Sequence, residues 1–428
     1  MIERPPDLND DALLDLVQRQ TFRYFWEFAH PVSGLARERS NAAFGYGPEV
    51  VTTGGSGFGA MAIVTGAARG WITRDEAADR LLRSVRFLWR ADSYHGVLPH
   101  FLHGATGRTI PFSRKDDGGD LVETAFLIAG LLCARQYFDR DTAGERELRE
   151  IIDRLWREVE WSWHTREGSN VLYWHWSPNN GWSMNHEIRG WNEALIAYVL
   201  AASSPDHPID ARVYHRGWAQ GLHFSNRRPY YERTLPLGRD FGGPLFFAHY
   251  SFLGLDPRGL RDRYADYWEQ NVSHVLINRE HCLRNPHGFK HYGADCWGLT
   301  ASDDPAGYRS HAPDNDNGVI APTAALASFP YAPEHSMRVL RHFYYVLGDR
   351  IWCDYGFIDA FDLTRGWYAD SYLAIDQGPI IALIENHRSG LLWQLFMSCP
   401  EVQAGLERLD FQSPCLRLEG ETPVAVDR

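Results

Sequence analysis

The sequence predicts an all-α fold, an (α/α)6 barrel of six inner and six outer helices with long loops at one end. Three observations lead there. Two classes of helical segment alternate along the 428 residues, one apolar on nearly every side and the other with a charged face. The connections alternate as well, short from inner to outer segment and long from outer to inner. Period-two strand patterns are scarce, with short strands expected only in loops such as 169–176.

The apolar segments are roughly 57–69, 119–135, 190–202, 242–254, 319–329 and 377–395. A helix that is apolar all round must be buried all round, so these form the inner ring. The amphipathic segments are roughly 11–28, 74–91, 144–164, 258–278 and 333–347, with a weak sixth near 209–220. Thr73 and Glu76 have the spacing of a capping box at the second of them. Gly254-Leu-Asp-Pro257 and Pro330-Tyr-Ala-Pro333 are short inner-to-outer links. Long loops without secondary structure usually carry function, and here they would gather over the N-termini of the inner helices. Single cores usually stop growing at about 250–300 residues. A large helical barrel is an exception, and 1–428 reads as one domain with its core at about 12–398 and a C-terminal extension at 399–428.

Composition narrows the function. A net charge of −12 argues against nucleic acid as a partner. No run of about 18–20 apolar residues offers a membrane span. The chain has 16 Trp and 20 Tyr, residues whose apolar body and polar tip suit the C–H faces and hydroxyls of sugars. The six cysteines form no C-x-x-C pair and no zinc spacing. No cofactor and no metal is expected. The N-terminal MIERPPDLNDDALLDL is polar and acidic, which reads as cytoplasmic as the sequence stands, and as periplasmic or secreted if a signal was removed.

The openings of the apolar helices share glycine, and five of the six carry an acid: Thr52–Ser56 without one, then Lys115–Asp120, Arg189–Glu193, Arg239–Pro244, Asp314–Gly318 and Asp376–Pro379. Each acid alone reads as a helix cap or a partner of the helix dipole. Several converging on one rim point to chemistry. Glycosidic bond hydrolysis needs a protonated acid for the leaving oxygen and a carboxylate that activates water or attacks carbon, and an apolar setting raises the acid's pKa. Glu193, between Trp191 and Leu195, suits the acid, the alternative being a first-turn pairing with Arg189. Asp120 and Glu123 share a helix face, with Asp116 in the preceding turn. They read as a catalytic pair, a sugar-hydroxyl clamp or, for Asp120, a cap. Asp376 is either an N-cap or functional, close to Trp367, Tyr368, Asp370 and Tyr372. Tyr173, Trp174, Trp182, Trp191, Trp297, Trp367 and Tyr372 are the candidate stacking rings, and His175 a sugar hydrogen-bonder. Asp314 and Asp316 look loosely like a calcium loop, but the glycine comes one residue early and the twelfth position lacks Glu. There is no H-E-x-x-H, G-x-S-x-G, P-loop or dinucleotide fingerprint.

Several motifs carry a resemblance: Gln20-Thr-Phe-Arg-Tyr-Phe-Trp26, Lys115-Asp-Asp-Gly-Gly-Asp-Leu-Val-Glu-Thr124, Tyr173-Trp-His-Trp-Ser-Pro178, Gly242-Gly-Pro-Leu-Phe-Phe-Ala-His-Tyr250, Cys296-Trp-Gly-Leu-Thr-Ala301, and the stretch from Trp367 to Pro379. In order, over about 12–398, they resemble the glucoamylase-like domain family, which includes the β-1,2-glucanases of glycoside hydrolase family 144. The resemblance implies an (α/α)6 barrel that hydrolyses β-1,2-glucan or its oligosaccharides with inversion and without a metal. The family's acidic cluster falls on Asp116, Asp120 and Glu123, and its Glu after a Gly-aromatic-Asn turn falls on Glu193. Trp191 stands where many members carry Tyr. The base is placed on Asp376, because related β-1,2-glucanases supply it from this late segment. Two other readings stand beside hydrolysis. One is a transglycosylase, since a similar domain occurs within cyclic β-1,2-glucan synthases. The other is a non-catalytic glucan-binding protein, which the retained Glu193, Glu123 and Asp376 count against. Asp120, Glu123, Glu193 and Asp376 are expected to face one cavity.

Overall fold

Helix α1 (Asp10–Trp26) opens the chain, capped by Asn9, whose side chain accepts the Ala12 N–H. It and the other helices appear in a computed structural model that describes residues 4–416. The first inner helix is α2 (Thr53–Ala68), buried almost throughout, and α3 (Arg74–Leu88) follows on the outside behind the Thr73–Glu76 capping box that its sequence announces. The pairs continue with α4 (Leu121–Tyr137) and α5 (Ala143–Arg157), then α6 (Leu195–Ser203) and α7 (Ala211–Arg216). Next come α8 (Phe246–His249, prolonged by a tighter turn over Tyr250–Leu253) and α9 (Tyr267–Arg284), then α10 (Pro322–Leu326) and α11 (Pro333–Arg341). After the single turn α12 (Gly348–Ile351), α13 (Ala374–Arg388) closes the inner ring against α1 and α2. The result is an (α/α)6 barrel: α2, α4, α6, α8, α10 and α13 inside, α1, α3, α5, α7, α9 and α11 outside.

The inner helices α2 and α4 meet through glycine. A Cβ at Gly57 would lie 2.3 Å from the Phe126 carbonyl oxygen, and one at Gly130 would lie 2.0 Å from the Gly57 carbonyl oxygen. No side chain fits there, so the backbones touch, and this approach brings Glu123 of α4 to the first turn of α2. Gly130→Ala is therefore expected to push the two helices apart. Overpacking of this kind destabilises by about 1–3 kcal/mol, so the urea midpoint should fall. A midpoint equal to that of the parent would refute the contact.

The elements differ from the sequence expectation where capping decides. The segment expected from 258 begins as helix only at Tyr267, because Asp266 caps it by accepting the Glu269 N–H. The run expected over 377–395 breaks at Gly390, whose φ of 72° ends α13 and starts α14 (Leu391–Met397). In the C-terminal extension, α15 (Pro400–Arg408) packs on α6, with Gly405 fitted against Ser203 and the Arg408 guanidinium donating to the Ala202 carbonyl. This part of 399–428 is thus continuous with the barrel, and residues 417–428 lie outside the described ones. Short strands decorate the loops at the inner-helix openings. They include a three-stranded sheet (Val50–Thr52, Phe101–His103, Thr109–Ile110) and hairpins at 225–237 and 301–310. None of the described helices is long and apolar enough to cross a membrane.

Candidate active site

At the N-terminal ends of the inner helices lies a cavity of about 440 Å³. Glu123 and Glu193 line it, with His100, Trp174 and Tyr250 and a wall of Phe44, Tyr46, Phe101, Phe112, Phe126, Phe246 and Tyr308. Glu38 and Arg39 close the side toward Leu373.

Glu193 sits in the turn before α6, where Asn192 accepts the Ala194 N–H (2.9 Å) and Ser251 donates to the Glu193 carbonyl. Its carboxyl has no ion pair among the described residues, because Arg189 pairs with Glu187 instead. Burial pushes it up to about 7, and the nearby charges of Glu123 and Asp120 add to the effect. Glu123 is anchored by the first turn of α2: its Oε2 accepts the Gly54 N–H at 2.8 Å. Burial raises its pKa too, against the pull of His100.

Asp120 does both things its position allows. It caps α4, with Oδ1 accepting the Val122 and Glu123 N–H groups (3.1 and 3.0 Å), and the same oxygen accepts the Trp174 indole N–H (2.9 Å). Its Oδ2 meets His100 Nδ1 at 2.9 Å. Asp120 is 1% exposed and does not itself line the cavity; it holds two residues that do. Burial alone would raise it, but hydrogen bonds from His100 and His175 outweigh that and keep it ionised far below the usual carboxylate range. The converse holds at His100, where burial would lower the imidazole but Glu123, then Asp120 and Asp116, carry it to about 9. Asp116, 3.3 Å from His175 Nε2, is pushed up to about 6 by burial and then by Asp120. The cavity therefore presents an imidazolium flanked by carboxylates.

Asp376 is not an N-cap. Helix α13 starts at Ala374, whose N–H bonds the Glu38 carbonyl (3.0 Å), so Asp376 falls inside the first turn with its side chain free of capping. It is 1% exposed and stands behind the cavity wall, where its Oδ1 accepts the Tyr250 hydroxyl at 3.3 Å. Of the four acids expected to face the cavity, Glu123 and Glu193 do, while Asp120 and Asp376 lie one layer behind.

The aromatic expectation needs correction. Of the seven candidate rings, Trp174 lines the cavity. Trp191 and Trp297 are 3% and 0% exposed and have no face left for a sugar. Tyr372 is buried among Tyr24 and Tyr355, and Tyr173 and Trp182 pack with Trp163 and His164 in a separate cluster. Trp367 and Tyr368 form a short strand paired with Phe361–Asp362; the Tyr368 hydroxyl accepts from Arg350, and Asp370 accepts from Asn41. His175 lies parallel to Trp174 and serves Asp116 and Asp120. Large rings in long loops bury most area by folding back on the barrel, which leaves the wall to phenylalanines and tyrosines. Asp314 pairs with Arg239, and Asp316 binds His281, Tyr292 and the Gly318 N–H.

Sequence reasoning passed over Arg39, Tyr250, Asp303 and Asp359, which gather around Asp376. Arg39 reaches Asp303 with both terminal nitrogens (3.0–3.3 Å) and Glu38 with Nε (2.9 Å). The signal available was the adjacent pair Asp303-Asp304 before a proline, which reads as an ordinary turn.

Comparisons with known proteins follow the same line. A family model described as “Putative glucoamylase” matches residues 185–400. An exo β-1,2-glucooligosaccharide sophorohydrolase (non-reducing end) from Parabacteroides distasonis is 46% identical over 423 residues; the alignment covers 94% of this chain and 58% of that protein. The structure of an endo-β-1,2-glucanase from Chitinophaga pinensis, in complex with sophorotriose and glucose, superposes with a TM-score of 0.93 at 55% identity, over 96% of this chain and 100% of that one. A Bacteroides uniformis structure described as a “putative glucoamylase” gives 0.95 at 60% identity, with the same coverage.

Proposed function

The chain belongs to the glucoamylase-like family, and from that premise we propose that it is a glycoside hydrolase cleaving β-1,2-linked glucan or its oligosaccharides with inversion. The observation that carries the reading is Glu193, a carboxyl in a mostly aromatic cavity with no ion pair among the described residues and a pKa of about 7. Such a group is protonated near neutrality and can donate to a glycosidic oxygen. The likeness to a sophorohydrolase and an endo-β-1,2-glucanase supports the choice of linkage.

In this reading Glu193 protonates the leaving oxygen while water attacks the anomeric carbon from the opposite face. The water's O–H bond breaks as the C–O bond forms, and its proton passes to Asp376. Tyr250, which lines the cavity and donates to Asp376, is the hydrogen-bonded link among the described residues. It can take the water proton on its oxygen while passing its own proton on. The His100 imidazolium and the Glu123 carboxylate offer a donor and an acceptor to sugar hydroxyls.

Incubation with linear β-1,2-glucan and with short β-1,2-gluco-oligosaccharides tests the proposal, with NMR following the anomer released. The expected first product is the α-anomer. A β-anomer formed first overturns inversion, and no cleavage of either substrate overturns the activity.

A further inference from the structure

Behind Tyr250 the barrel buries more carboxyl groups than it neutralises. Glu38, Asp303, Asp359 and Asp376 come together from a loop, a hairpin, a second loop and α13, and Arg39 is the guanidinium bound among them. Its hydrogen bonds are taken up by Glu38, Asp303 and Asn41. Asp303 also accepts from the Ser371 hydroxyl. The remaining two acids are each at most 2% exposed. Asp359 Oδ2 accepts the Asp303 N–H at 2.7 Å, and Asp376 Oδ1 accepts Tyr250. Each then has one further oxygen, Asp359 Oδ1 and Asp376 Oδ2, buried and without any donor among the described residues.

Buried polar atoms are rarely left unpaired, and two carboxylates cannot hydrogen-bond unless one carries a proton. The Asp359 and Asp376 side chains are in hydrogen-bonding contact, so a single proton between them satisfies both orphan oxygens. We infer that Asp359 and Asp376 form a carboxyl dyad holding one proton, in which Asp359 is a positioning residue that sets the proton affinity of the base Asp376. The inference rests on the reading of Asp376 as base. Burial raises both groups; the charge of Asp303 adds to this at Asp359, and the charge of Asp359, then that of Asp303, raises Asp376 further, while the hydrogen bond from Asp376 favours the charged form of Asp359. The other groups facing the pair are Asp303, Arg39 and the phenols of Tyr250, Tyr308 and Tyr24. As Arg39 is shared with Glu38 and Asp303, it does not neutralise the pair.

The working form of the dyad has one proton and one negative charge. Accepting the water's proton makes it doubly protonated, and the extra proton leaves with product. On the acid side a second proton binds before catalysis and the base is lost, so kcat/KM falls.

Asp359→Asn replaces the shared carboxyl proton, which favours the singly ionised pair, with the weaker N–H donor of an amide. The acid limb of the kcat/KM profile, set by the lower apparent pKa of the pair, should then move up by about one pH unit, the coupling expected of such a pair. Turnover near neutrality should fall only severalfold. An acid limb that stays in place overturns the dyad. Asp376→Asn separates the two readings: it should lose at least about 100-fold at every pH. If it stays active, the assignment of the base fails whatever Asp359→Asn does. Should Asp359→Asn fold poorly, the infrared spectrum near neutral pH decides. The carbonyl stretch of an un-ionised carboxyl should contain a component lost in Asp376→Asn and kept in Glu193→Gln; its absence from the unmodified protein overturns the inference.

Discussion

Glu193→Gln should lower turnover by at least about 10²-fold, within the 10²–10⁴ typical of a lost general acid, while the barrel stays folded. The amide has nearly the shape of the protonated carboxyl and offers N–H donors, but it cannot release a proton to a leaving oxygen. No ion pair among the described residues is broken, since Arg189 is held by Glu187. The pH dependence sharpens the test. With a pKa of about 7, Glu193 is the proton donor below that value and spent above it, so kcat/KM of the unmodified enzyme should fall on an alkaline limb near 7. Residual activity of the variant should lack that limb. Stability gives a second sign. A carboxyl whose folded pKa is raised favours the fold when protonated, and that contribution is lost as pH rises from the unfolded value of about 4.5 toward 7. Glutamine has no such loss, so the variant should match its parent in acid and exceed it in urea midpoint above pH 7. A variant that retains more than a tenth of turnover removes Glu193 from the chemistry.

Arg39→Met should be the most destabilising single change around the site. Arg39 is 5% exposed and ties a loop to the hairpin that bears Asp303. Removing one partner of a buried ion pair costs about 3–5 kcal/mol, because the charges left behind have no compensation. Glu38, which burial already pushes up to about 7 against the pull of Arg39, would rise further above its unfolded value. The contribution is intact below the unfolded value and lost as pH climbs, so the deficit of the variant should widen from about pH 4 upward. Urea unfolding at a series of pH values measures this. A deficit that is constant with pH would show that Arg39 acts through stacking of its guanidinium over Phe44 rather than through the carboxylates.

Helix periodicity made the two rings legible, because an inner helix must be apolar all round and an outer one need not be. Glu193 and the Asp116–Asp120–Glu123 group were legible for a related reason: an acid inside an apolar helix opening is out of place unless it is capped, paired or used. The rim aromatics were not. Trp191 and Trp297 differ from Trp174 only in where their loops return to the barrel, and a one-dimensional string does not contain that path.

For Asp376, sequence supplied the residue, the Gln-Gly-Pro after it and the aromatic neighbours that favour function, but left the N-cap reading open. The choice was made by a bond from Ala374 N–H to the Glu38 carbonyl, which starts α13 before Asp376 and keeps its carboxyl from capping. Glu38 is more than 300 residues earlier in the chain. The same holds for the acids around it: Asp303, Asp359 and Arg39 each look like unremarkable loop residues in their own neighbourhoods. What the sequence determined by itself was local and periodic, namely helices, caps and the acids at their openings. What only the tertiary structure decided was which loop acid meets Asp376, because a carboxyl's charge depends on burial and on neighbours that closure of the barrel brings together.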